Sequence, residues 1–160
     1  MDDLLRLSTA LPEVEFDSGD VIVTEGLANG SLWVLVAGEL SISKGGAAIS
    51  TVTRPGSVIG EISVLLGSAP TATVTASAPS RLRHADDGRA FLFSDEEITR
   101  VVAVGLAARL DLVTSYLADL KHQYGDAPGL AMVPAVLRRL AERQAPAAVS
   151  GSSRDPRPEY

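Results

Sequence analysis

The chain has 160 residues, of which 46% are hydrophobic, 21% charged and 4% aromatic, and its formal net charge is −6. That is the make-up of one modest globular domain with an aliphatic core, too acidic for a general electrostatic footprint on nucleic acid or on an anionic membrane surface. With no cysteine, disulfides, thiol nucleophiles and zinc–thiolate sites are all excluded.

The opening "MDDLLRLSTALPEVEF" begins with Asp2 and Asp3 and has no long apolar run, unlike a secretory signal. No segment approaches about 18 uninterrupted apolar residues, so a cytoplasmic protein without a membrane span is expected. Residues 14–85 then read as short β-type runs: "DVIVTEG", "SLWVLVAGELSIS", "AAISTVT", "TATVTASA" and "RLRHA". Glycines punctuate them at spacings of roughly 8–12 residues, the rhythm of a barrel or sandwich. This predicts a mainly β fold with C-terminal helices: an antiparallel β-roll of jelly-roll type.

Helices are expected over about 88–124. Ser94 reads as an N-cap, and Glu97 three residues later completes a capping box. Ile98, Val102, Leu106, Leu110, Val113, Leu117 and Leu120 then recur every three or four residues, one apolar stripe on a helix from Asp95 to about Tyr124. A 30-residue helix is roughly 45 Å long, more than a small barrel covers. Either it breaks near Gly105, or its far half meets something else. Leu110, Val113, Leu117 and Leu120 have the 3-4-3 spacing of a coiled-coil seam, which predicts a homodimer or a partner protein on this stripe; folding back onto the barrel is the alternative. Residues 125–145 are expected to form a short helical extension, which Pro134 limits to about Pro134–Gln144. The stretch 146–160 has the Pro, Ser and Gly content of a disordered tail.

Four motifs in order carry a family resemblance. "FDSGDVIVTEG", "LWVLVAGELSIS", "RPGSVIGEISVLL" and "LAARLDLVTSYLADLKHQY" resemble the two opening hairpins, the phosphate-binding cassette and the lid-bearing helix of cyclic nucleotide-binding domains, here of the bacterial stand-alone type. The likeness makes residues 1–124 one such domain and implies a regulatory sensor of cyclic AMP or cyclic GMP, not an enzyme, with no other cofactor. Gly60 allows close backbone approach, and the Glu61 carboxylate can accept a hydrogen bond from a ribose hydroxyl. "EISVLL" can form a short cassette helix over Glu61–Leu66 whose free N–H groups suit a phosphate. The resemblance implies Gly60 and Glu61 on the ribose, the amides of Ile62 and Ser63 near the sugar-phosphate, and Tyr116, Leu117 and Leu120 as the lid.

One departure stands out. Most members close the cassette with an arginine nine or ten residues after the glutamate, where this chain has Pro70 and Thr71, followed by Ala72 and Thr73. No Lys or Arg occurs between Glu61 and Arg81. A hydrogen bond to a charged group contributes about 1.5–3 kcal/mol and a neutral pair about 0.5–1.5, so threonine in place of arginine weakens phosphate binding by about one to two decades. Arg54, Arg81 and Arg83 are expected to be solvated strand-end charges. A weakened sensor is therefore the first reading, and a non-binding relative serving as a protein–protein interaction or dimerisation module is the second.

Other classes find less support. A metal-dependent barrel enzyme needs two or three histidines with a carboxylate, and His84 and His122, each expected to be merely exposed, fall on different elements. No Gly-x-Ser-x-Gly elbow occurs. The residues after Tyr124 are too few, and the arginines Arg138, Arg139 and Arg143 too sparse, for a helix-turn-helix, so no DNA binding is expected.

Overall fold

The structure, a computed structural model, describes residues 2–124 and 132–142. It divides into two compact units, Met1–Leu106 and Ala107–Tyr160. The expected disordered tail over 146–160 and the turn after Tyr124 lie outside the described residues.

In the first unit a short helix, α1 (Asp2–Leu7), precedes β1 (Glu13–Phe16), β2 (Val21–Val23), β3 (Leu32–Ala37), β4 (Leu40–Lys44), β5 (Ala47–Val52) and β6 (Val58–Ile59). The cassette helix α2 (Glu61–Leu66) follows, then β7 (Thr73–Ala76), β8 (Ser80–Ala85) and α3 (Gly88–Leu92). The eight strands make two antiparallel sheets, in the orders β1-β8-β3-β6 and β2-β7-β4-β5. This is the expected β-roll with its short cassette helix.

The β3 sequence "LWVLVA" lacks a polar alternate because both its faces are covered. Trp33 and Leu35 point into a core between the sheets with Ile22, Leu40, Ile59, Val74 and Leu82. Leu32 and Val34 point the other way, into a second core with Leu4, Val64, Leu92, Ile98 and Val102 from the helices. Strand period two divides one run between two cores, and each fully buried leucine adds about 1.5–3 kcal/mol. β5, at a sheet edge, is largely exposed and carries Ser50 and Thr51 instead.

Two residues near the end of β8 differ from expectation. Arg83 is not solvated: its side chain is 14% exposed and donates to the Leu5 carbonyl, to Ser8 Oγ and to Glu13. It thereby ties α1 to the sheet, because the last carbonyls of a short helix need donors. His84 is not merely exposed either. The β3–β8 register sets it opposite Trp33, and the rings stack at 3.9 Å with Phe16 edge-on to the indole at 5.4 Å. Arg81 remains half exposed beside Glu13, and Arg54 and His122 are exposed.

The helix α4 (Glu96–Tyr124) runs unbroken through Gly105. Its cap is Asp95, not Ser94: Asp95 Oδ1 accepts from Glu97 N at 2.6 Å, and the Asp95 carbonyl takes the first helical bond from Thr99 N. The Ser94 hydroxyl instead turns back to donate to the Phe91 carbonyl at the end of α3. Within the first unit, Arg6 of α1 pairs with Glu97 at 2.8 Å, and Ile98 and Val102 are buried. In the second unit the helix is mostly exposed, including Leu110, Val113 and Tyr116 at 47%, 50% and 62%. The last helix, α5 (Val133–Glu142), carries Pro134 in its first turn, where its missing N–H costs nothing. By length and composition α4 could also cross a membrane. It passes on average hydropathy rather than as an uninterrupted run, since Arg109 and Asp111 stand in mid-helix.

Candidate functional site

The cassette begins where β6 ends. Ile59 is buried in the inter-sheet core and pairs with Trp33. Gly60 follows in the left-handed region at φ 93°, and a Cβ there would sit 2.9 Å from the Ser31 carbonyl oxygen. Both conditions demand glycine. Its carbonyl then starts α2, accepting from Val64 N at 3.1 Å and from Ser63 Oγ at 2.8 Å.

Glu61 is the first residue of α2 and is 3% exposed. A surface acid would not sit there; burying a carboxylate is costly, and a helix start is one of the few places that favours its charge. Ile62 faces outward at 43% exposure, and Val64 anchors the helix in the second core. The turn closes at Gly67, and Ser68 N donates to the Ser63 carbonyl at 3.0 Å.

The exit of the cassette is tied to the turn after β2. Gly26 N donates to the Pro70 carbonyl at 2.8 Å, and Glu25 N donates to Thr73 Oγ1 at 3.0 Å. Thr73 is thus fixed as an acceptor and keeps its own proton to donate. Thr71 is exposed and Ala72 half-buried beside it. Gly60, Glu61, Ile62 and Ser63 therefore lie on one continuous turn and helix. Pro70, Thr71, Ala72 and Thr73 form the strand entry that follows. Tyr116, Leu117 and Leu120 belong to the second unit, with Tyr116 exposed and both leucines partly so. Among the described residues, no group of three His, Asp or Glu side chains could hold a metal ion.

Residues 13–90 match the family model of the cyclic nucleotide-binding domain. The match places a cyclic nucleotide-binding domain over these residues, just under half of the chain. Solved structures with the same fold include PKAR CBD2 with Sp-2Cl-cAMPS bound, which is 21% identical with a TM-score of 0.57, covering 72% of this chain and 75% of that one. A protein from a cyclic-GMP-dependent signalling pathway that regulates bacterial phytopathogenesis is 19% identical with a TM-score of 0.59, covering 69% and 94%. A transcriptional regulator from Thermotoga maritima is 15% identical with a TM-score of 0.63, covering 75% and 98%. No curated protein matches the chain. Cyclic nucleotide-binding domains are regulatory rather than catalytic. In this one the match ends at residue 90, so α4 and α5 lie beyond it.

Proposed function

We propose that this domain is a regulatory sensor that binds a purine 3′,5′-cyclic nucleotide weakly through the turn from Gly60 to Ser63. The single observation behind the reading is Gly60 itself. It is held left-handed with its Cβ position filled by the Ser31 carbonyl, directly before a buried carboxylate at a helix start. The Glu61 carboxylate would accept from the ribose hydroxyl, and the amides of Ile62 and Ser63 would face the sugar-phosphate. Thr71 and Thr73 would give neutral hydrogen bonds where a cation is missing.

Residues 1–124 are the functional domain in this reading, and α4 is its output. Ligand would bias the position of Tyr116, Leu117 and Leu120 over the base, by differential contact with two states of the helix. Hydrogen exchange is the test. At saturating cyclic AMP the amides of residues 61–64 should gain protection, and those of residues 111–124 should change. An exchange pattern identical with and without ligand would dismiss the sensor.

The exposed seam of α4 supports assembly. Leu110 and Val113 are half exposed at coiled-coil spacing, and burying apolar area in a second copy is worth about 25 cal/mol per Å². Arg109 and Asp111 would each be costly at a bilayer centre, by about 2.5–3.5 kcal/mol, which favours the dimer over a membrane span. Light scattering at high micromolar concentration should give the mass of two chains, and Leu117→Asp should give one. A wild-type monomer under those conditions would remove the homodimer.

A second reading rests on the outer face of α2, where Ile62, Leu65 and Leu66 are 43%, 37% and 71% exposed. Three apolar side chains on one short helix suit a protein partner, and a domain kept for that contact need not retain nucleotide affinity.

A further inference from the structure

The backbone of His84 is fixed on both sides. The β3–β8 register sets it opposite Trp33, and its N–H donates to the Pro12 carbonyl at 2.9 Å. One face of the imidazole lies on the Trp33 indole, with centroids 3.9 Å and planes 17° apart. Its edge faces Asp86, with Nδ1 3.3 Å from Oδ1. A cleft of about 430 Å³ between Pro12, His84 and Phe91 opens to solvent and lets a proton reach the ring.

Trp33 depends on this contact. It is 8% exposed, and its Nε1 is buried with no acceptor among the described residues. No hydrogen bond anchors the indole, so packing alone positions it: His84 on its face, Phe16 at its edge and the aliphatic core around it. Trp33 in turn pairs with Ile59, the residue before Gly60.

Few charges surround the imidazole. Arg83, its neighbour on β8, is taken up by the Leu5 carbonyl, Ser8 and Glu13. The β3 sequence "LWVLVA" has no titratable group. The segment before β1 contributes Leu11 and Pro12 to the cleft, and the start of α3 contributes Asp87, whose Oδ1 already accepts from Ala90 N at 2.8 Å. Asp86 is 94% exposed, so water screens it. No Lys or Arg lines the cleft. A proton on His84 therefore brings a cation to an indole face that otherwise meets a neutral ring, and a cation is drawn to that face.

We propose that His84 is a proton-responsive prop under Trp33. Protonation tightens the stack and, through the Trp33–Ile59 pair, adjusts the backbone that enters the Gly60 turn. An imidazole changes charge within about pH 5–8, which makes the device responsive to mild acidification. It needs no ligand and stands whether or not the cassette binds a nucleotide.

The test is a titration of the full chain from pH 8 to pH 5, without nucleotide, read by fluorescence and by NMR. Trp33 is the one tryptophan of the chain, so its emission reports this stack. An imidazolium in contact with an indole quenches it, and emission is expected to fall by about a third or more along a one-proton curve. The His84 ring protons and the amides of Trp33, Ile59 and Gly60 should shift along the same curve. His84→Gln should abolish the fall, whereas His122→Gln, at the exposed histidine of the second unit, should leave it unchanged. Flat emission over this range, or a fall that persists in His84→Gln, would overturn the proposal. Should His84→Gln not fold, the wild-type amides decide: shifts at Ile59 and Gly60 that are absent, or that follow a curve other than that of the His84 ring, would overturn it too.

Discussion

Pro70→Arg and Thr71→Arg are each expected to tighten cyclic nucleotide binding at least tenfold. The cassette has its glycine turn, its buried Glu61 and its helix start, and it lacks a cation from Glu61 to Arg81. A guanidinium near the cyclic phosphate would replace a neutral hydrogen bond by a charge-assisted one, a gain of about 1.4 kcal/mol or more. The substitutions are structurally mild. Thr71 is exposed, and the Pro70 carbonyl that accepts from Gly26 survives any side-chain change. Arginine at 70 can keep the backbone angle of proline, at a cost of about 0.4–1 kcal/mol through the unfolded chain. Calorimetric titration of the two variants beside the wild type reads the gain. Equal affinity in all three would mean that residues 70 and 71 do not face the phosphate.

Leu35→Ala is expected to lower the stability of the domain by about 2–5 kcal/mol, a large share of the 5–15 kcal/mol of an ordinary domain. Leu35 has no exposed surface and lies in the inter-sheet core with Leu40 and Leu82. Its backbone also joins the segment before β6, with Leu35 N donating to the Ser57 carbonyl at 2.9 Å and its own carbonyl accepting from Gly56 N at 2.8 Å. These backbone bonds stop the strand from shifting to fill the space that truncation leaves, so the cavity cost should be near the upper end. Urea unfolding followed by circular dichroism measures it. A loss below about 1 kcal/mol would mean that the two sheets do not enclose a common core at this position.

The hairpins were legible in the sequence because alternation and continuous β-branched runs record strand burial directly, as in "SLWVLVAGELSIS" for β3 and β4. The long helix was legible from its stripe. Elements too short to show a period, the six residues of α1 and the two of β6, left no such trace. The helix cap was misread by one residue, since Ser94 and Asp95 are both good caps and only the tertiary path assigns Ser94 to α3. Arg83 looked like a solvated charge because its acceptor on Leu5 lies 78 residues away in sequence. Thr73 likewise takes its donor from Glu25, 48 residues earlier. Gly60 and Glu61 could be singled out beforehand since adjacent chemistry needs no long-range contact to be seen.

The central claim is that this cassette still holds a cyclic nucleotide, loosely. Isothermal titration calorimetry of the full chain with cyclic AMP and with cyclic GMP tests it most directly. The expected result is a dissociation constant of tens of micromolar or weaker for at least one of them. That corresponds to about −6 kcal/mol or less favourable, against about −8 at 1 μM. No heat of binding at millimolar concentration of either nucleotide, from the wild type and from both arginine variants, would contradict it.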